Sequence, residues 1–296
     1  MISPQALMAI QNLELRAKVV VEGFWNGLHR SPFHGFSVEF SEYRQYSPGD
    51  DLRYLDWKLF ARTDRHYIKK FEDETNLRCH LLVDQSRSME FGSLDYNKFT
   101  YTNTLAATLG YFLYQQGDAV GLLSFSDGIN DFLPARNRSG HLRRLMLSLE
   151  KPPTGQSTDL ETPLQRILDL VRKRGLVILI SDLMAPIDTL EQGLTAIRAC
   201  GHEAQVFQVL DPAERHFTFD QANLFEDVET GQEIYIDPQQ ARAGYLERLE
   251  SHLNRVESIC RQNGIGYRLV TTNEPLERQL FDFLQTRVQP QSTASR

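Results

Sequence analysis

From Leu77 onward, apolar runs of strand length alternate with amphipathic helical stretches, and this alternation constrains the fold more than any other feature of the chain. The runs are CHLLVD (79–84), AVGLLSFS (119–126), GLVILISD (175–182), EAQVFQVLD (203–211) and GYRLVTT (266–272). Between them, Phe99, Leu105, Leu109 and Phe112 share a helical face that Gly117 can end, and Leu142, Leu145, Met146 and Leu149 share another that Ser139 is placed to cap. Helical spacing recurs in 160–175, in 187–201, in the stripe Leu246, Leu249, Leu253, Val256 and Cys260, and in a closing stretch, 274–288. Strand–helix alternation of this kind predicts an α/β fold, a doubly wound and mostly parallel sheet with helices on both faces. CHLLVD is expected in its middle. INDFLPA (129–135), reached through the tight SDG turn, is expected as a short antiparallel edge strand. Residues 217–237 read as a β-hairpin inserted between two strand–helix units, with ETGQ as its turn.

In an open parallel sheet, ligands gather at the carboxyl ends of the strands. Two aspartates stand at such ends, Asp84 after LLV and Asp182 after LVILIS. Ser86 and Ser88 follow Asp84 at alternate positions, so that residues 84, 86 and 88 can point one way while Gln85 and Arg87 point elsewhere. Thr158, in GQSTDL before a helix, can face the same rim. The candidate constellation is Asp84, Ser86, Ser88, Thr158 and Asp182, which offers oxygen alone. Oxygen-only ligation with few charges suits Mg2+ or Mn2+ in octahedral geometry. Neutral hydroxyls leave the ion electrophilic, and an open position would accept a carboxylate from outside. The bland alternative is a strand-end turn in which Ser86 or Ser88 merely caps the next helix.

DQSRS, with Thr158 and Asp182 downstream, resembles the metal-ion-dependent adhesion site of von Willebrand factor A domains: D-x-S-x-S, a later threonine, then an aspartate after another strand. Upstream, Tyr46, Pro48-Gly49-Asp50-Asp51, Arg53, Asp56-Trp57 and Ala61-Arg62 resemble the signature of the domain of unknown function 58 family, with Leu55 where that family has isoleucine. The resemblance runs from about Gly27 to Leu284. It implies a von Willebrand factor A-like domain, and an association with MoxR-type AAA+ ATPases in remodelling or complex maturation, in which a partner or client supplies the carboxylate. The expected division is 1–76 as an opening helix and signature subdomain packed on the core, 77–288 as the A-like domain, and 289–296 as a disordered tail. Ser3 and Pro4 are placed to start the opening helix, and Ile10, Leu13, Ala17, Val20, Val21 and Phe24 recur at its spacing. Pro48-Gly49 fits a turn, Leu52, Leu55 and Leu59 a helical face, and the stretch from His66 a strand.

The other function classes fare worse. A D-x-D phosphohydrolase needs a second acid where Ser86 stands. GQSTD lacks the last glycine of a nucleophile elbow, and no P-loop or HExxH is present. The expected protein is therefore not an enzyme but an interaction module; the alternatives are the same module with no ion in its site, a metal carrier, and, least favoured, a magnesium-dependent phosphohydrolase. A formal charge of -7 argues against a nucleic-acid partner. No apolar run has the length of a membrane span, and the first residues lack the pattern of a signal peptide, so the expected location is the cytoplasm. Cys79, Cys200 and Cys260 are an odd number, far apart, and read as buried reduced thiols.

Overall fold

The computed structural model describes residues 2–30, 43–45, 67–69, 77–152, 160–171, 173–219, 223–226, 233–236 and 238–288. The chain divides into two compact units: Met1–Asn26 with Leu77–Arg296, and Gly27–Asn76. The opening residues, expected to group with the signature segment, thus belong to the large unit. Ser3 does cap α1 (Pro4–Met8), its side chain accepting from the Ala6 amide. The expected single helix is two, because Asn12 restarts the chain by capping α2 (Leu13–Arg30) through the Leu15 amide.

In the smaller unit, β1 (Tyr43–Gln45) pairs antiparallel with β2 (Tyr67–Lys69), Arg44 opposite Ile68. The Pro48-Gly49 turn, the Leu52–Leu59 face and the aligned signature residues from Tyr46 to Arg62 lie outside the described residues.

The large unit is built on β3 (Arg78–Asp84), β4 (Ala119–Phe125), β5 (Ile129–Arg136), β6 (Leu176–Ser181), β7 (Glu203–Leu210) and β10 (Gly266–Thr271). These form one six-stranded sheet in the order β10-β7-β6-β3-β4-β5. All neighbours are parallel except β5, which runs antiparallel along β4 at the edge. The α/β fold with a mostly parallel sheet expected from the sequence is the one observed, with CHLLVD in the interior of the sheet. The inserted hairpin is also present, β8 (Asn223–Glu226) pairing antiparallel with β9 (Glu233–Ile236).

Side chains of β3 alternate between two helical layers. Leu82 joins Leu123, Leu179 and Val206 under α5 (Glu161–Leu170), α6 (Ile187–Ala199) and α8 (Pro238–Gln262), which supply Leu164, Ile167, Leu190, Leu194, Val256 and Ile259. Leu81 faces the other layer, where α3 (Lys98–Gln115) crosses so closely that a Cβ on Gly110 would lie 3.3 Å from the Leu81 side chain. Arg16 of α2 donates to Thr104 of α3 at 2.8 Å, and Trp25 stacks on Phe112 at 5.7 Å. The remaining helices are α4 (His141–Leu149), α7 (Pro212–His216) and α9 (Leu276–Val288).

Two local expectations change. Ser139 does not cap α4; Gly140 takes that place at φ 77, a left-handed conformation that glycine adopts without a Cβ penalty. Cys79 and Cys260 are buried, but Cys200 is exposed, beyond the buried stripe of α6; none of the three is in a disulfide.

Gly121 marks a bulge where β4 meets β5. A Cβ there would lie 2.7 Å from the Ala135 amide nitrogen, 2.8 Å from the Leu133 carbonyl oxygen and 3.0 Å from His80 Nδ1. Gly121→Val is expected to destabilise the fold by about 2–3 kcal/mol, since the β5 backbone must yield on one side and the His80 ring on the other. Urea denaturation of both proteins checks this through the midpoint.

Candidate functional site

The candidate residues meet where β3 and β6 end. β3 closes on Asp84, and the Gln85 amide still bonds the Phe125 carbonyl at 2.7 Å, so the ladder runs one residue past the aspartate. There the chain turns. Ser86 is extended (φ -70, ψ 166), and Arg87–Glu90 form a 3-10 turn. The serines therefore reach one side through a turn, not through the strand alternation read from DQSRS. Of the intervening residues, Gln85 is buried and Arg87 exposed.

Ser86 stands at the N-cap of that turn yet makes no capping bond through its side chain. Its hydroxyl lies 3.1 Å from the Ser88 hydroxyl, and Ser88 Oγ donates to Asp182 Oδ2 at 2.9 Å. Asp84 Oδ1 accepts from the Ser86 amide at 2.9 Å, and its Oδ2 from Ser181 Oγ at 2.5 Å. The side-chain oxygens of Ser86, Ser88 and Asp182 are thus one hydrogen-bonded chain, and Asp84 joins it through the Ser86 amide. Thr158 lies outside the described residues.

Asp182 owes its aim to the residue after it. Leu183 is buried at φ 56, a left-handed conformation that costs a branched side chain about 1 kcal/mol or more. Bonds on both sides hold it there: its amide donates to Ser181 Oγ at 2.9 Å, and its carbonyl lies 2.9 Å from His252 Nε2 of α8. Gln208 Nε2 fixes the Asp182 carbonyl at 2.8 Å, and Tyr267 fixes Gln208 in turn.

Lys98 was not foreseen. It is the first residue of α3, 1% exposed, and its ammonium donates to Asp182 Oδ2 at 2.9 Å and to Glu214 Oε1 at 2.7 Å. A cation at a helix N-terminus opposes the helix dipole, so a lysine in NKF just after a strand-end turn was the available sign that carboxylates wait nearby. Glu214 is held by the capping box of α7, its other oxygen accepting from the Asp211 amide. Asp211 in turn accepts from the Ser93 amide at 2.9 Å, which ties the β7 end back to the loop after β3.

The electrostatics follow from burial. Burial raises the Asp84 pKa, and the nearby Asp182 charge adds to the rise, against bonds from Ser181 and Ser86. Burial acts on Asp182 in the same sense, but Lys98 outweighs it and holds that carboxyl below its ordinary range. Burial pulls Lys98 down, and Asp182 and Glu214 more than restore it, so it stands above an ordinary lysine. Glu214 is left raised by burial, with Lys98 offsetting only part. Asp182 and Glu214 bracket Lys98 and Asp84 lies beside Asp182, so three carboxylates stand against one ammonium.

That balance and the donor set suit a hard divalent cation: two hydroxyls not committed to capping, two carboxylates, no sulfur and no imidazole. Among the described residues, no group of three or more His, Cys, Asp or Glu side chains is arranged to hold a metal. An ion here would therefore rest on Ser86 and Ser88. Ser88 is half-exposed, and Met184 beside Asp182 is 42% exposed, so the open side of the site meets solvent.

A family model described as "Protein of unknown function DUF58" matches residues 42–255. The chain belongs to the DUF58 family. An uncharacterised protein of Mycobacterium tuberculosis, Rv1480, is 30% identical over 240 residues, covering 79% of this chain and 75% of its own length. Mycobacterium bovis Mb1516 matches to the same extent. Two solved structures share the fold of this DUF58 chain at 14% identity, each over 72% of it and 100% of their own length. One is BatB from Bacteroides thetaiotaomicron, with a TM-score of 0.50, and the other an aerotolerance-related membrane protein from Bacteroides fragilis, with a TM-score of 0.51. Among the described residues of the DUF58 chain no helix is long and apolar enough to cross a membrane.

Proposed function

We propose that this DUF58 protein is a non-catalytic docking module whose adhesion site takes Mg2+ or Mn2+ on Asp84, Ser86, Ser88, Thr158 and Asp182. The observation that carries the reading is the hydroxyl of Ser86. It sits at a cap position, forgoes the capping bond, and turns instead to Ser88 in the chain that ends on Asp182.

When bound, the ion would supply a Lewis-acidic position for a carboxylate of another protein. The residues of the chain supply the rest. Ser181 and the Ser86 amide hold Asp84 in place, Leu183 and Gln208 aim Asp182, and the half-exposed Ser88 keeps one side open. The family resemblance points to a MoxR-type AAA+ ATPase, or a client handed to it, as the partner, and to remodelling or complex maturation; the expected place of that work is the cytoplasm. The absence of a P-loop from the sequence is in keeping with a component that relies on a separate ATPase. With Ser86 bonded to Ser88 where a phosphohydrolase needs its second acid, the reading is not an enzymatic one.

Calorimetric titration with Mg2+ and Mn2+ tests the site. Wild-type protein is expected to bind one ion and Asp84→Ala none, with Ser88→Ala weakened about tenfold. Equal titrations of all three folded proteins would exclude it. One observation favours a second reading, a module that docks through its surface with no ion: Lys98 already places a positive charge on Asp182. In that case neither metal nor chelator changes partner binding.

A further inference from the structure

Lys98 is a costly residue to place where it is. An ammonium 1% exposed, on the first residue of a helix, is both desolvated and set against the helix dipole. The start of α3 does not depend on it, since the Asn97 cap accepts from the Thr100 amide at 2.9 Å. Its two bonds go to carboxylates on different strand ends, Asp182 after β6 and Glu214 after β7. The oxygen it meets on Asp182 is the same Oδ2 that Ser88 reaches. The ammonium thus occupies one side of the group a metal would use.

We propose that Lys98 is the resident counter-ion of the adhesion site. This rests on the metal-binding reading given above. Lys98 neutralises Asp182, so that the rim keeps its shape with no metal, and it lowers the affinity for a divalent ion. Glu214 is the second post to which the ammonium stays bound when Asp182 turns its charge toward an ion. Asp84, Asp182 and Glu214 stand against Lys98, a balance suited to a divalent cation. Lys98 is accordingly a positioning and affinity-setting residue, not a ligand.

The test is calorimetric titration of the full chain with Mg2+ alone at pH 7.5, with circular dichroism to establish folding and thermal melts with and without Mg2+. Lys98→Met is expected to bind Mg2+ on the order of tenfold to a hundredfold tighter than wild type, because a unit charge a few ångströms from the ion is removed in a partly dry site. Its melting temperature is expected to rise on adding Mg2+ by more than that of wild type. Glu214→Gln is expected to act oppositely, weakening Mg2+ by about threefold to tenfold, since the ammonium then belongs to Asp182 alone. A lysine that merely supports the fold would not yield a tighter site on removal. Wild-type binding with Lys98→Met unchanged or weaker overturns the inference and leaves the metal site standing. Binding by neither protein overturns both. Binding by Lys98→Met alone supports the counter-ion and overturns the metal-dependent docking of the wild type. If Lys98→Met does not fold, Glu214→Gln decides: a weaker site supports the inference, an unchanged or tighter one overturns it.

Discussion

If the proposed AAA+ ATPase is the partner, Asp84→Ala protein is expected to lose its capture by on the order of a hundredfold while remaining folded, and chelator is expected to do the same to wild type. The size of the effect comes from where Asp84 sits. It is wholly buried behind the two serines, and both of its oxygens already accept hydrogen bonds from the β3 and β6 ends. Removing it takes away a carboxylate facing the ion and also the acceptor that holds the Ser86 amide in its turn. Folding is expected to suffer far less. The orphaned Ser181 hydroxyl and Ser86 amide cost about 1–3 kcal/mol, offset in part by the relief of a buried like-charge pair with Asp182. Immobilised wild-type and variant proteins, mixed with the purified ATPase in Mg2+ and then in EDTA, check this. Retention that is indifferent to both EDTA and the substitution would end the docking mechanism.

Acidification is expected to cost the fold about 3 kcal/mol at one side chain remote from that rim, His80. Burial, and then the charges of His202 and Arg78, push its pKa down to about 4, and its Nδ1 has no hydrogen-bond partner among the described residues. Above pH 6.5 the imidazole is neutral in both folded and unfolded chains. As pH falls from about 6.5 to about 4 the unfolded chain takes up the proton and the folded one does not, so the contribution is lost across that window. Asp84 works the other way, since its raised pKa favours the folded state as acid protonates it. The wild-type acid profile therefore mixes two opposed terms. The difference between wild type and His80→Gln isolates the imidazole. Urea midpoints at pH 7 and pH 4.5 are expected to fall by less in His80→Gln than in wild type. An equal fall in both would mean that His80 is solvated when charged.

The inner strands were legible because they are buried on both faces and bounded by turn chemistry; LVILIS is entirely buried, and the sequence carries no polar alternation there. INDFLPA was legible as an edge for the complementary reason, with mixed burial after a tight turn. The site was half legible. Asp84, Ser86, Ser88 and Asp182 follow from strand ends and spacing. The turn that gathers them does not, since alternation and a 3-10 turn both bring oxygens two residues apart to one side. Lys98, Ser181 and Glu214 were missed because their partners lie 84, 97 and 116 residues away in sequence and no local period joins them. Each left a faint local mark: a lysine against the helix dipole, a serine in an apolar strand, and a DPAE capping box. Ser139 misled because Gly140 can adopt the left-handed geometry at the helix start and a serine there cannot do so cheaply.

The antiparallel edge has a consequence for how molecules of this protein meet. An open strand edge is a template onto which another extended chain can add. β5 carries Pro134, which has no amide to donate, and places Asp131 in an ion pair with Lys151 at 2.8 Å beside it. A strand from a second molecule arriving there would find an interrupted row of donors and a charge to desolvate. Sideways growth of the sheet is thus disfavoured at this border.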